Sequence, residues 1–311
     1  MRAVSYTVFA LASAVAACSG TDARECRVGA DCASGMCNAD GTCVRSGATG
    51  GDASAPPPAV VPSGGDGGGD AGGDASLSGC TPNHDGTITR NEVPIAPGLR
   101  ATFRTAQNED VSTAGTTGAD GKRIWDLSGA LASDQNVLVE TLALAGTWYG
   151  SGFPTATYAT KLSASSDLLG VFQTSTTALL LDGVASPDNG ATKTQLTYSP
   201  SVTVLGFPFT NGASWTSDSD VSGTAQGFPS AYHEKYETNV DAVGTLKTPL
   251  GTFDVLRVRT LLTRTVGLAV STTRSFAFVS ECYGTVATVT SDSGESTVEF
   301  THAAEVRRIA P

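Results

Sequence analysis

From about residue 98 to the C-terminus, apolar and polar residues alternate with a period of two, and turn residues interrupt the alternation at short intervals. Alternation of this kind predicts strands with one buried face. The segments that predict strands are 99–105, 136–144, 157–163, 178–184, 194–199, 251–264, 272–280, 284–291 and 296–309. Hairpin turns are predicted at Asp120-Gly121, Asp188-Asn189-Gly190 and Ser293-Gly294. The pattern predicts one all-β domain over residues 98–311, an antiparallel curved sheet, barrel or sandwich.

The N-terminus has the pattern of an export signal. A single positive residue, Arg2, precedes a mostly apolar run that ends at Ala17. This run is shorter than the ~20 apolar residues that span a bilayer as a helix. Residues 1–17 are therefore predicted to be a signal peptide, which the mature protein lacks.

A cysteine directly follows this apolar run. The motif Val15-Ala16-Ala17-Cys18 resembles the lipobox of bacterial lipoproteins, in which the cysteine receives lipid and becomes the new N-terminus. The resemblance implies that Cys18 is lipidated, that several acyl chains hold the protein in a membrane, and that Ser19 directs it to the outer membrane or cell surface. The alternative is an ordinary signal peptide cut near Ala17, with Cys18 as a spare thiol.

Six cysteines remain once Cys18 is assigned to lipid, an even number that suits disulfides in an exported protein. Four of them form a compact group, namely Cys26, Cys32, Cys37 and Cys43. A segment this short cannot bury a useful core, so two internal disulfides are expected to stabilise residues 18–45. Zinc is the alternative, although the spacings lack paired C-x2-C knuckles. The segment resembles small Cys-rich modules near the N-termini of bacterial surface lipoproteins.

Cys80 and Cys282 are then left, and we expect them to pair in an oxidising compartment. The bond would close a loop of about 200 residues, for which the chain-entropy model gives roughly 5 kcal/mol as an upper figure. The alternative is that Cys282 is a buried free thiol and that Cys80 pairs with the four-cysteine group or with another chain.

A linker separates the cysteine group from the all-β domain. Residues 46–79 contain 11 Gly, 4 Asp and no positive charge. Such a composition cannot drive collapse, so a solvated tether is predicted. Its r.m.s. span is roughly 32 Å on the scaling for flexible chains.

An acidic loop, residues 80–97, follows the linker. From its third position onward, the segment that starts at Thr81 resembles the calcium loop of EF-hand proteins. The resemblance implies calcium ligands from the side chains of Asn83, Asp85 and Glu92 and from the carbonyl of Thr87. The segment departs from the motif at Thr81, where the motif has Asp, and Pro94 leaves no room for a long second helix. The alternative is a tight Asn-His-Asp-Gly turn with solvated charges.

Three segments of the all-β domain resemble a broad group of secreted β-sheet proteins. They are LGFPFTNGASW (205–215), VGTLKTPLGTFDVLRVRT (243–260) and AFVSECYGTVATV (277–289). The resemblance implies a β-rich extracytoplasmic fold and transfers no catalytic residue. Some members resemble half-barrel lipoprotein carriers with an apolar interior.

Candidate chemistry is sparse. The chain has 19 Lys and Arg against 30 Asp and Glu, a net charge of −11, which argues against nucleic-acid binding because phosphates need a basic face. It contains neither a G-x-S-x-G nor an S-x-x-K nucleophile motif. Paired carboxylates for glycoside hydrolysis could come from Glu140, Asp182 and Asp254, although turn or edge roles explain these acids equally well. The three tryptophans are expected in the core rather than on a sugar-binding platform: Trp125, Trp148 and Trp215.

The histidines of the domain, His233 and His302, are expected at the surface of strands or packed against them, rather than acting as bases. In a strand, His233, Lys235 and Glu237 would lie on one face, and Tyr232, Glu234 and Tyr236 on the other. The first face is predicted to be solvated and to form charge pairs. A helix would instead make His233 and Glu237 a possible metal pair, but Pro229 and the β-branched alternation argue against a helix.

Three classes of function remain open. The first is a surface-anchored, non-enzymatic lipoprotein that binds a partner or contributes to the envelope. The second is a carrier or sensor of an apolar ligand inside a curved sheet, and the third is a secreted hydrolase. The sequence predicts no cofactor other than the calcium of the acidic loop, and it names no partner other than the membrane that holds the lipid.

Overall fold

The computed structural model describes residues 80–119 and 121–311. Within them the chain forms sixteen strands and two short 3-10 helices, at Arg90–Glu92 and Gly150–Gly152. The strands are β1 (Thr87–Ile88), β2 (Arg100–Asp110), β3 (Thr116–Thr117), β4 (Arg123–Asp126), β5 (Gln135–Leu142), β6 (Tyr158–Lys161), β7 (Leu169–Thr174), β8 (Ala178–Ala185), β9 (Gln195–Gly206), β10 (Phe209–Thr210), β11 (Ser214–Ala225), β12 (Phe228–Lys247), β13 (Thr252–Val266), β14 (Ala269–Ser280), β15 (Gly284–Thr290) and β16 (His302–Ile309). The signal peptide, Cys18, the four-cysteine group and the linker lie outside the described residues.

Twelve of these strands form a closed antiparallel ring. Their order is β11-β9-β8-β7-β6-β5-β2-β16-β15-β14-β13-β12, and β12 pairs back with β11. Closure of the sheet leaves no free edge within the ring. The predicted all-β class is therefore confirmed, and its form is a barrel.

Alternation along the strands separates the inside of the barrel from the outside. From residue 232 to residue 240 of β12, the even-numbered side chains face inward and the odd-numbered ones are partly exposed. Successive side chains of a strand point to opposite faces, so one polar-apolar pattern sets both surfaces.

Side chains of the chain itself fill the interior. Phe172 and Leu181, on β7 and β8, belong to the same buried cluster as Val258 and Leu262 on β13. These strands lie on different sides of the ring, so the contacts run across the lumen. Eight strands are enough to enclose one layer of side chains, and twelve enclose more space.

The N-terminal segment occupies part of that extra space. Ile88, Val93 and Ile95 are buried in the same interior cluster, and β1 pairs with β10. The predicted disulfide between Cys80 and Cys282 is present, with the Cα atoms 5.6 Å apart. The bond therefore ties the beginning of the described chain to one end of the barrel.

The two ends of the barrel differ in the turns that form them. Cys282 lies in the turn between β14 and β15, and we call this the Cys282 end. The turns at residues 226–227 and 267–268 form the other end, which we call the Arg264 end. The 12 residues of β14 run between the two ends, a strand length of roughly 35–40 Å at the rise of an extended strand.

A segment between β2 and β5, the outer flap, covers one side of the barrel. It comprises residues 111–119 and 121–134 and includes β3 and β4. β4 pairs in parallel with the last residues of β12, and a Cβ at Gly244 would overlap the carbonyl oxygen of Arg123, so only glycine permits this close pairing. Trp125 of the flap packs edge-on against Phe278, with ring centroids 5.1 Å apart.

A buried arginine joins the flap to the barrel. The side chain of Arg257, only 4% exposed, lies over the rings of Trp125 and Phe276, at 5.3 Å and 4.3 Å. Its guanidinium donates to Asp241 at 2.8 and 3.0 Å and to Glu299 at 2.7 and 3.1 Å. Two fork-like carboxylate contacts and two aromatic faces hold this cation in place.

The strand prediction for residues 296–309 is wrong in its first half, because β16 begins at His302. The carbonyls of Glu295 and Ser296 accept hydrogen bonds from Arg274, and the carbonyl of Phe300 accepts one from the backbone of Thr113 in the flap. These carbonyls are therefore bonded outside the barrel ladder.

Two ring strands, β7 and β11, were not predicted, and of β12 only the stretch around residues 232–237 was interpreted as a strand. β11 is rich in Ser and Asp, which have low strand propensity. Its neighbours on both sides determine its conformation, since it pairs with β9 and β12.

No helix in the described part of the chain is long and apolar enough to cross a membrane.

Candidate functional site

A cluster of polar side chains lies inside the barrel towards the Arg264 end. Glu234 on β12 is completely buried, and its Oε1 accepts a hydrogen bond from Nε of Arg264 at 2.6 Å. Its Oε2 accepts one from the hydroxyl of Tyr236 at 2.5 Å. The guanidinium of Arg264 lies 5.2 Å from the ring centre of Tyr232, and Tyr198 on β9 is buried nearby in the interior cluster.

The register of neighbouring strands assembles this cluster. Glu234 pairs with Arg264 across β12 and β13, although the two residues are 30 positions apart in the sequence. Directly opposed residues of an antiparallel pair point to the same face. Tyr232 and Tyr236 share the face of Glu234 because they are two positions away along β12.

Burial and mutual charge shift the proton affinities of the cluster. Burial, followed by the nearby charge of Glu234, raises the pKa of Tyr232 to about 12. Burial raises the pKa of Tyr198 and Tyr236 well above the ordinary value. Burial opposes the charge of Arg264, but the carboxylate of Glu234 outweighs it and raises the pKa of the guanidinium.

These shifts determine what the cluster can do chemically. The tyrosines keep their protons at neutral pH, and Arg264 keeps its charge. Both oxygens of Glu234 are engaged, one by Arg264 and one by Tyr236, so this carboxylate is not poised as a general base. The arrangement holds a guanidinium in a fixed orientation, as a binding site does.

Part of this cluster was visible in the sequence. The strand interpretation of residues 232–237 placed Tyr232, Glu234 and Tyr236 on one face, and the structure places them so. Arg264, the last residue of the predicted strand 251–264, was not identified from the sequence. A charged residue at an inward position of an alternating strand is the signal that could have identified it.

The opposite face of β12 is solvated, as predicted. Both ring nitrogens of His233 lie 2.9 Å from a carboxylate, one of Asp218 and one of Asp220, and Lys235 pairs with Glu237 at 3.1 Å. The hydrogen bond with Asp220 raises the pKa of His233. The predicted role of this face in charge pairs is confirmed.

The remaining candidate residues have separate partners. His302 contacts Asp110 at 2.8 Å, which raises its pKa. Asp182 is buried, which raises its pKa, and accepts a hydrogen bond from Ser201 at 2.7 Å. Asp254 lies 3.6 Å from His84, and Glu140 lies opposite Arg100 in the register of β5 and β2.

The three tryptophans likewise lie in different surroundings. Trp125, which belongs to the flap, is buried against the barrel. Trp148 packs on the small cluster near Tyr149, with Lys193 5.0 Å above its ring. Trp215 is half-buried at the edge of the interior cluster and donates to the carbonyl of Thr203 at 3.0 Å.

The acidic loop brings three of its four predicted ligands into one hydrogen-bonded group. The side-chain amide nitrogen of Asn83 donates to Oδ2 of Asp85 at 3.3 Å and to Oε1 of Glu92 at 3.0 Å. Asp85 accepts the backbone N–H of Thr87 at 2.7 Å, and Glu92 accepts that of Thr89 at 2.8 Å. The described residues contain no group of three or more His, Cys, Asp or Glu side chains placed to hold a metal ion.

Comparison with known proteins gives little beyond this geometry. No protein-family model and no curated protein matches the sequence. A solved structure described as "a putative lipoprotein from Parabacteroides distasonis" is similar to 69% of this chain and 95% of its own, with 12% identity and a TM-score of 0.31. A likeness this low carries no argument about function.

Proposed function

We propose that this chain is an exported, lipid-anchored binding protein that performs no catalysis. The proposal rests on the hydrogen bonds of Glu234, whose two carboxylate oxygens accept from Tyr236 and Arg264. Because neither oxygen is unbonded, the polar cluster in the barrel holds a cation in place and does not transfer a proton. A rigid, pre-organised guanidinium is a recognition element.

The proposed lipid anchor rests on the sequence before residue 80 and on the position of Cys80 in the fold. The lipobox-like motif at Cys18 and the Gly-rich composition of residues 46–79 favour a lipid anchor and a tether. The described chain begins at Cys80, which is bonded to the Cys282 end of the barrel. A tether attached there would leave the Arg264 end available to a ligand.

The other two classes have less support. An apolar carrier needs an apolar cavity, whereas Ile88, Val93 and Ile95 of the N-terminal segment pack into the apolar interior. A glycoside hydrolase needs two cooperating carboxylates, whereas Asp182 and Asp254 have different partners.

Membrane fractionation of cells that produce the full chain tests the proposal. We expect the wild-type protein in the membrane pellet and Cys18→Ser in the soluble fraction, because the variant lacks the thiol to which the lipid is attached. Cys26→Ser, which alters the next cysteine along the chain, is the matched control and should remain in the pellet. Equal partitioning of wild type and Cys18→Ser would refute lipid anchoring.

We also propose that the acidic loop binds calcium weakly. The Asn83 amide nitrogen lies between the carboxylates of Asp85 and Glu92, where a cation would be equally well placed between two negative charges. A rotation of this amide would present its oxygen instead. The set has only two carboxylates, and affinity in such loops depends on the number of charged ligands.

Calorimetry with calcium on the full chain is expected to show binding in the millimolar range, at the weak end of known loop sites. Glu92→Gln should abolish the heat, because it removes one of two charges while keeping the side-chain shape. Asp254→Asn makes the same charge change on an exposed carboxylate beside His84 and should leave binding unchanged. Absence of heat in the wild type would leave the tight turn as the only role of the loop.

A further inference from the structure

We propose that the Arg264 end of the barrel binds a small ligand through a carboxylate group on that ligand. The proposal rests on the binding function proposed above and names the ligand class for it. No feature of the sequence motifs assigns a role to Arg264.

Only one nitrogen of the Arg264 guanidinium is hydrogen-bonded to the described residues. Its Nε is bonded to the buried carboxylate of Glu234, and its two terminal nitrogens make no hydrogen bond to the described residues. The side chain is 23% exposed. The N–H groups on these two nitrogens form a fork that matches a carboxylate in a bidentate arrangement.

The surroundings leave this fork accessible. Ser271, which pairs directly with Arg264 across β13 and β14, is exposed. Tyr232 is half-buried, and its ring lies 5.2 Å from the guanidinium carbon. The guanidinium itself lies over this ring, so a ligand held by the fork would lie beside an aromatic side chain, which favours an aromatic body behind the carboxylate.

Charge favours a singly charged group over a phosphate. Glu234 and Arg264 offset each other's charge, so the uncompensated charge at this partly buried position would be twice as large for a dianion as for a monocarboxylate. The net charge of the whole chain is −11, which further disfavours multiply charged anions. A monocarboxylate needs only the hydrogen bonds of the fork.

Benzoate is the probe, and benzamide is its uncharged isostere. Titration of the full chain, followed by the NMR signal of the Arg264 Nε–H, should shift that signal with benzoate. Benzamide should bind about tenfold more weakly or worse, because a charge-assisted bond is lost. The Nε–H of Arg259, on the outer face of β13, is the internal control and should not move.

Variants then locate the site. Glu234→Gln combined with Arg264→Gln removes the pair without leaving a lone buried charge, and benzoate affinity should fall at least about tenfold. Lys235→Gln removes one positive charge from the outer face of the same strand and should leave affinity within about twofold, as surface charges contribute little.

Three results would overturn the inference. They are equal affinity for benzoate and benzamide, unchanged benzoate affinity in the double variant, and no response of the Arg264 signal at about 10 mM benzoate, a concentration at which a specific site should fill. The first and third need no variant, so they hold even if the double variant fails to fold. Fractionation with Cys18→Ser is independent of all three, so failure of the ligand site and failure of the anchor are distinguishable.

Discussion

Replacing Arg257 with methionine is expected to destabilise the barrel by about 3–5 kcal/mol, the usual result of removing one partner from a buried ion pair. Asp241 and Glu299 would both lose their hydrogen-bonded cation, and Trp125 would lose the group that lies over its ring. The outer flap would therefore detach more readily from β13 and β14. Urea unfolding followed by tryptophan fluorescence measures the loss.

Arg259→Met is the matched control for this effect. Arg259 lies two residues along the same strand, approaches the same Asp241 at 3.7 Å, and is 29% exposed. Its pair should contribute less than about 1 kcal/mol, as exposed ion pairs do. Equal destabilisation by the two substitutions would contradict the assigned role of Arg257.

The Arg257 contribution should also depend on pH. Burial would raise the pKa of Glu299, but the hydrogen bonds and charge of Arg257 outweigh it and hold the pKa below its ordinary value. A carboxyl with a lowered folded-state pKa stabilises the fold above its unfolded value, about 4.3. This part of the stability is lost as the pH falls through the lower folded-state value.

Removing the bridge between Cys80 and Cys282 is expected to have an effect of comparable size. The bridge closes a loop with a sequence separation of 202, so Cys80→Ser combined with Cys282→Ser should cost about 2–5 kcal/mol. The loss should be greatest at the N-terminal segment, because Ile88 and Val93 reach the interior next to the bridge. Urea unfolding gives the total, and hydrogen exchange of their amides gives the local part.

Thr81→Ala, an exposed change beside Cys80, is the control and should leave both measurements unchanged. If the double serine variant matches the wild type in urea and keeps full amide protection at Ile88, the bridge does not hold the N-terminal segment in the barrel.

The elements predicted from the sequence are those whose signal is local. Nine strand predictions depended on alternation within 6–14 residues, and each overlaps a strand in the structure. The alternation around His233 also separated the two faces of β12 correctly. The pairing of Cys80 with Cys282 followed from an even count of cysteines and is present.

The features that were not predicted depend on distant pairing. Glu234 meets Arg264 only because β12 and β13 pair in one register, and a shift of one residue would turn both side chains outward. Arg257 is hydrogen-bonded to Glu299 because the segment before β16 folds back over β14 and β13. No local pattern encodes either encounter, so the candidate site emerged only from the assembled barrel.

Metabolic labelling with a fatty-acid analogue tests whether Cys18 carries a lipid anchor. The full chain should incorporate the label, and Cys18→Ala should incorporate none, since the thiol of Cys18 is the proposed acceptor. A fully labelled Cys18→Ala variant, or an unlabelled wild type exported to the same compartment, would show that Cys18 is not lipidated.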